Sequence, residues 1–162
     1  MCVCLIGLWT PAVQGLAASE LNALSAVVME ASTGRILYEK NAYEERAIAS
    51  TTKIMTLIVA LEEGNEEEIA TVSELAASQP KVKMGMTEGE QYRLKDLYYL
   101  MMLESWNDTA VVIAEHIGGA VEEDCESMTD KARAIGALYT PFKKPSGMCA
   151  EGPYSTAGAE AW

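Results

Sequence analysis

The chain has 162 residues, 49% of them hydrophobic, which is enough to bury a core and fits one domain or part of a larger one. Its 24 acidic residues outnumber 12 basic ones, for a net charge of −12. Apart from Lys143-Lys144 there is no basic cluster, so the composition argues against a nucleic-acid partner, and a solvated acidic surface accounts for the charge.

From Cys2 to Ala18 the chain carries no charge, and Cys-Val-Cys-Leu-Ile-Gly-Leu-Trp has the apolar character of a secretory leader. Pro11, Gly15, Ala17 and Ala18 then suggest a cleavage site near Ala17 or Ala18, so residues 1–18 are expected to be a signal peptide. Read as uncleaved, the same segment would be a short membrane anchor interrupted by Pro11.

Ser25 to Glu30 reads as a buried strand, Ala31-Ser-Thr-Gly34 as a turn and Arg35 to Lys40 as a second, alternating strand, together a hairpin. The next helix is expected to begin near Ser50, where Ser50, Thr51 and Thr52 offer capping hydroxyls, and to end at Gly64. Ile54, Leu57, Ile58 and Leu61 fall at i, i+3, i+4 and i+7, which predicts the buried face of that helix. Asn65-Glu-Glu-Glu68 is an acidic loop, and a short helix follows over Ser73 to Ser78, stopped by Pro80. Lys81 to Met86 reads as extended, and Thr87-x-x-Glu90 as a capped turn.

From Leu94 the spacing of Leu94, Leu97, Tyr98, Met101 and Met102 predicts an amphipathic helix, with a break at Glu104-Ser-Trp-Asn107. A second helix starts near Asp108, carries Ala110, Ile113, Ala114 and Ile117 on one face, and closes at Gly118-Gly119. A third sets Val121, Cys125, Met128, Ala132 and Ile135 in a stripe and ends at Gly136. Beyond it Pro141, Pro145, Gly147, Gly152 and Pro153 mark irregular chain.

Two pairs of residues carry chemistry. On a helix opening at Ser50, Lys53 shares a side with the serine, and a serine hydroxyl becomes a useful nucleophile when an amine of lowered pKa stands beside it as base. Taken alone, Ser-x-x-Lys reads as a helix cap with a solvated lysine, and Ser78-Gln79-Pro80-Lys81 has the same spacing without a continuous helical turn. Ser105-Trp106-Asn107, in the break between helices, is the one Ser-x-Asn of the chain and by itself reads as an interhelical turn. Cys125 and Cys149 could pair in an oxidising compartment or be buried thiols, and neither lies in a metal-ligand spacing. His116, the only histidine, sits late in its helix as a surface residue, which disfavours a zinc site or a Ser-His-Asp triad.

A Ser-x-x-Lys opening a helix and a Ser-x-Asn about fifty residues later is the ordered pair of penicillin-binding proteins and class A β-lactamases. Ala49-Ser-Thr-Thr-Lys-Ile-Met-Thr56, Ala76-Ala-Ser-Gln-Pro-Lys-Val82, Leu103-Glu-Ser-Trp-Asn-Asp-Thr-Ala110 and Ala114-Glu-His-Ile-Gly-Gly119 make the chain, from about Leu24 to about Gly136, resemble the D-alanyl-D-alanine carboxypeptidases. These are low-molecular-weight penicillin-binding proteins of the bacterial cell envelope. The resemblance implies Ser50 as the nucleophile that attacks a peptidoglycan stem peptide ending in D-Ala-D-Ala, and Lys53 as its base. It implies Ser105 as a proton relay and Asn107 as the amide that orients substrate and supports the lysine. β-Lactam antibiotics would be covalent inhibitors, no metal or organic cofactor is implied, and the site of action would be the outer side of the cytoplasmic membrane.

Where the family has Lys-Thr-Gly or Lys-Ser-Gly on a later strand, this sequence has neither. Lys144-Pro145-Ser146-Gly147 resembles instead the family's Asn-Pro-x-Gly-Leu loop, and Pro153-Tyr-Ser-Thr-Ala157 its His-Tyr-Ser-Thr-Ala. The implied organisation is therefore a leader over 1–18 and, over 19–162, a partial catalytic domain ending before the Lys-Thr-Gly strand. The implied fold is α+β and β-lactamase/DD-peptidase-like: an amino-terminal β-hairpin plus a helical lobe, without the carboxy-terminal sheet strands. Two other readings stay open: a non-catalytic remnant or binding module of the same fold, and a class A β-lactamase, which would need Ser-Asp-Asn where Ser105-Trp106-Asn107 stands.

Overall fold

The computed structural model describes residues 21–138, 140–148 and 154–162; the expected leader and Cys149 lie outside them. Strands β1 (Ala26–Glu30) and β2 (Arg35–Lys40) form the antiparallel hairpin, with Ala26 opposite Lys40 and Glu30 opposite Arg35. A register shift between Val28 and Met29 lets the pair bend. A two-residue strand β3 (Arg46–Ala47) then leads into a 3₁₀ turn over Ala49–Thr51 and into α1 (Thr52–Glu63).

Strand β4 (Ile69–Thr71) and the short helix α2 (Glu74–Ala77) follow, the latter capped by Ser73, whose side chain accepts from the Ala76 N–H. Strand β5 (Gln91–Arg93) pairs antiparallel with β4 and runs directly into α3 (Leu94–Glu104). Helices α4 (Asn107–Gly118) and α5 (Val121–Ile135) complete the helical lobe, and α5 ends at Gly136 in the left-handed conformation. Strand β6 (Tyr154–Ser155) pairs with β3, and α6 (Ala157–Glu160) lies near the chain's end. The sequence pattern does not announce β5 or β6, because two or three residues are too few to show a period of two. Lys81 to Met86, expected to be extended, is irregular chain.

Two apolar clusters share α1 as a common wall. One joins Ala60 to Leu94, Leu97, Met101, Ala110, Ile113 and neighbours on α2 and β4; the other joins Met55 and Val59 to Cys125, Met128, Ala132 and Phe142. Fully burying a side chain such as Ile113 contributes roughly 1.5–3 kcal/mol. The face of α1 that is buried differs from the expected one. Ile54 is 49% and Leu61 57% exposed, whereas Thr52, Lys53, Met55, Thr56, Val59 and Ala60 are buried. The helix is apolar around most of its circumference, so periodicity alone does not select the face; packing against α4 and α5 does. That rotation turns Lys53 into the protein.

Asp124 is a buried carboxyl of the lobe that is left without a partner. It is 1% exposed and neither carboxylate oxygen has a hydrogen-bond partner. Burial, with the charge of Glu63 as a lesser cause, pushes its pKa up from 3.8 to about 7. A carboxyl that holds its proton more tightly folded than unfolded adds stability only at acid pH, and that contribution is lost as pH rises from about 4 to about 7. Asp124→Asn, which cannot ionise, should therefore match the parent near pH 4 and exceed it at pH 8 by on the order of a few kcal/mol in urea denaturation. An advantage independent of pH would contradict this. The neighbouring Cys125 thiol is likewise buried and pushed up to about 12, chiefly by burial and then by Asp124 and Glu122.

Candidate active site

The 3₁₀ turn presents a strained residue immediately before Ser50. Ala49 has φ +44°, a left-handed conformation that a side chain with a Cβ adopts at a cost. Thr51 closes the turn, its N–H and its Oγ1 both donating to the Ile48 carbonyl at 3.0 and 2.7 Å. Ser50 is left exposed at the mouth of α1.

One turn on, Lys53 points inward and is only 2% exposed. Its Nζ donates to Ser50 Oγ at 3.2 Å, to Asn107 Oδ1 at 3.1 Å and to the Ser146 carbonyl at 3.0 Å. Burial lowers its pKa from 10.5 to about 8. Three acceptors match the three N–H bonds of the ammonium form. The neutral amine has two N–H bonds for the carbonyl oxygens of Asn107 and Ser146, and its lone pair then faces the Ser50 hydroxyl, which is the arrangement of a base beside a nucleophile.

Asn107 is the first residue of α4 and is 2% exposed. Its Nδ2 donates to the Pro80 carbonyl at 3.2 Å while its Oδ1 accepts from Lys53, so both ends of the side-chain amide are held, and its backbone N–H donates to the Val82 carbonyl at 2.8 Å. Ser105 caps α3 at φ +59° and is partly buried two residues before Asn107. Among the described residues its hydroxyl makes no hydrogen bond to Ser50 or Lys53. The structure thus brings Ser50, Lys53 and Asn107 together around one amine, with Ser105 on the adjoining connection. His116, late in α4, meets Glu68 Oε2 at 2.9 Å, away from this cluster. Among the described residues no group of three or more His, Cys, Asp or Glu is placed to hold a metal ion.

Residues 145–147, in the stretch that resembles the family's Asn-Pro-x-Gly-Leu loop, form a wall of the site, a role the sequence motifs did not assign to them. The Pro145 carbonyl accepts from Thr56 Oγ1 at 2.9 Å, and the next carbonyl, that of Ser146, accepts from Lys53. Gly147 has φ +72°, and a Cβ built there would lie 1.9 Å from the Ala49 carbonyl oxygen and 2.8 Å from Thr52 Oγ1. The wall can seat against the turn before Ser50 only because residue 147 has no side chain. Gly147→Ala should unseat it. Expected is a loss of more than about 2 kcal/mol of stability by denaturation, together with a rise in the Lys53 pKa as water reaches the amine; an unchanged variant would contradict the contact. The ligand at Ser146 is a main-chain oxygen that any residue supplies, so the sequence marks the loop, through the resemblance of Lys144-Pro145-Ser146-Gly147 to Asn-Pro-x-Gly-Leu, but not the contact.

A family model described as D-alanyl-D-alanine carboxypeptidase matches residues 12–161. The D-alanyl-D-alanine carboxypeptidase DacF of Bacillus subtilis is 37% identical over 150 residues, 88% of this chain and 39% of the relative. The solved structure of the D-alanyl-D-alanine carboxypeptidase DacD from Francisella tularensis superposes with a TM-score of 0.84 at 35% identity, over 94% of this chain and 38% of that one. Penicillin-binding protein D2 from Listeria monocytogenes in its ampicillin-bound form gives a TM-score of 0.71 at 28% identity, over 85% of this chain and 58% of that one. The chain spans about two fifths of the length of the curated relatives it matches.

Proposed function

Because the chain belongs to the D-alanyl-D-alanine carboxypeptidase family, we propose that it carries the nucleophile and base of a serine-type carboxypeptidase that trims peptidoglycan stem peptides ending in D-Ala-D-Ala. Family membership supports the substrate class, and the buried amine of Lys53, 3.2 Å from the Ser50 hydroxyl, is the observation that carries the mechanism.

In this reading the Ser50 oxygen attacks the carbonyl carbon of the penultimate D-Ala while its proton passes to the neutral amine of Lys53. Asn107 and the Ser146 carbonyl hold that amine through its two remaining N–H bonds, so it can turn only toward the serine. The C–N bond then breaks, a proton delivered from Lys53 through Ser105 converts the leaving nitrogen to the amino group of free D-Ala, and the peptide remains as an ester on Ser50. Water adds to that ester with Lys53 again accepting a proton, and Ser50 is regenerated with release of the shortened peptide.

A β-lactam would enter the same first step and stop at the ester, in keeping with the ampicillin-bound form of the Listeria relative. Residues 1–18 would act as an export leader, taking the protein to the outer side of the cytoplasmic membrane, where peptidoglycan is built. Membrane association would come from that leader left uncleaved or from elsewhere in the intact protein, since no described helix is long and apolar enough to cross a membrane.

The test is release of free D-Ala from an acylated peptide ending in D-Ala-D-Ala by the intact protein carrying this chain. Stoichiometric, time-dependent inhibition by benzylpenicillin is expected. Failure to release D-Ala while nitrocefin is turned over rapidly would favour a β-lactamase, and failure of both would favour a non-catalytic relative.

A further inference from the structure

Asp108 is a fully buried carboxylate, 0% exposed, that takes no direct part in the proton transfers above. It accepts four backbone N–H bonds. Oδ1 takes those of Met84 at 3.1 Å and Thr109 at 3.0 Å, and Oδ2 those of Gly85 at 2.8 Å and Met86 at 3.3 Å. Three of the four come from the irregular segment 80–86, and the same segment supplies the Pro80 and Val82 carbonyls that hold Asn107. Five hydrogen bonds to two consecutive residues of α4 therefore bind this strap, and hydrogen bonds to a charged acceptor are the stronger kind.

We propose that Asp108 is a positioning residue for acyl transfer: by gripping residues 84–86 it keeps the 80–86 strap against Asn107, and through Asn107 fixes the acceptor that orients the Lys53 amine. The proposal rests on the reading of Lys53 as base. With the grip released, Pro80 and Val82 leave Asn107, its amide is free to turn, and water enters beside Lys53. The lysine's low pKa is a burial effect, so admitting water returns it toward its ordinary value. The other charged groups of the strap are Lys81, which is exposed, and Lys83, whose Nζ donates to the Ala77 carbonyl at 3.1 Å on α2; from β5, Tyr92 lies within reach of the Asp108 charge, its hydroxyl donating to Glu90 Oε2 at 3.0 Å.

The side chain must be a carboxylate for this purpose. An asparagine has one acceptor oxygen, and its amide N–H₂ would face backbone donors and leave some of them unpaired. The test is Asp108→Asn in the intact protein, with the rate of acylation by labelled benzylpenicillin followed against pH and the Lys53 amine titrated directly by ¹³Cε NMR. Both midpoints should move about one unit alkaline from about 8, the rate at pH 7 should fall about tenfold, and the plateau at high pH should stay near the parent's.

Ile113→Val, a core change on α4, should lower stability without moving either midpoint. Gly85→Ala provides a milder loosening of the strap. Position 85 has φ +90°, and an added Cβ there meets nothing within 4 Å, so the change strains the strap without a clash and should give a smaller shift of the same sign. Should Asp108→Asn not fold, Gly85→Ala decides the question by the same readout. Midpoints that stay at the parent's value while stability falls would overturn the proposal. Absence of labelling in the parent would instead count against the catalytic reading, and the NMR midpoint would still judge Asp108.

Discussion

Replacing Ser50 by alanine should remove covalent capture of a labelled penicillin by the intact protein and reduce D-Ala release by roughly six orders of magnitude, the scale seen when a serine hydrolase loses its nucleophile. No other group can substitute for the missing oxygen without a rearrangement, because the Lys53 amine is turned toward residue 50 by Asn107 and the Ser146 carbonyl. The change should not disturb the fold. Ser50 is exposed, and its side-chain bond to Lys53 is the one recorded for it among the described residues. A correctly folded Ser50→Ala protein that still forms the adduct on a denaturing gel would remove Ser50 from the mechanism.

Lys53→Met should lower acylation by about 10²–10⁴-fold, the usual contribution of a positioned base, while filling much of the same volume. It also has a pH signature. With a pKa of about 8, only about a tenth of the amine is neutral at pH 7, so the parent's acylation rate should climb about tenfold per unit below that value and level off above it. The Met variant should lose that limb. Stability follows the same group: a lysine whose pKa is lowered on folding carries its full cost below pH 8, and the cost is relieved between about 8 and 10.5, where the folded chain has shed the proton and the unfolded one has not. The stability gain over that interval should therefore also vanish in Lys53→Met. A limb near pH 8 that persists in the variant would assign it to another group.

Much of this architecture was legible in the residues because long amphipathic helices announce themselves. α3, α4 and α5 begin and end within a residue or two of their expected limits, and the hairpin strands Ala26–Glu30 and Arg35–Lys40 sit where an apolar run and an alternating one put them, although the first, expected to be buried, has no buried residue and leaves Val28 51% exposed. The buried side of α1 was not legible. A helix packed between two clusters offers apolar residues on several sides, and the most regular stripe, Ile54 to Leu61, proved the more exposed one.

Of the candidate site, the meeting of Ser50, Lys53 and Asn107 at one amine could be anticipated because all three contribute side chains at motif spacing. The Ser146 carbonyl could not, since a backbone acceptor has no sequence signature, and the steric need for Gly147 exists only once Ala49 is opposite it. Asp108 and Asp124 show the same limit from the other direction. Both are charged residues in helical sequence, which ordinarily face water, and both are buried by position: Asp108 at the start of α4 against the strap, Asp124 on the same face as Val121 and Met128. One found four donors and the other none.

The most direct measurement is the location of the bond formed with a β-lactam. Trypsin cuts after Arg46 and, when unhindered, after Lys53, so the adduct should appear on the peptide Ala47–Lys53 or its extension, with fragmentation assigning the added mass to Ser50 rather than Thr51 or Thr52. The account predicts one penicilloyl group per chain at that oxygen. An adduct on Ser105, on Ser146 or anywhere outside Ala47–Lys53 would contradict it.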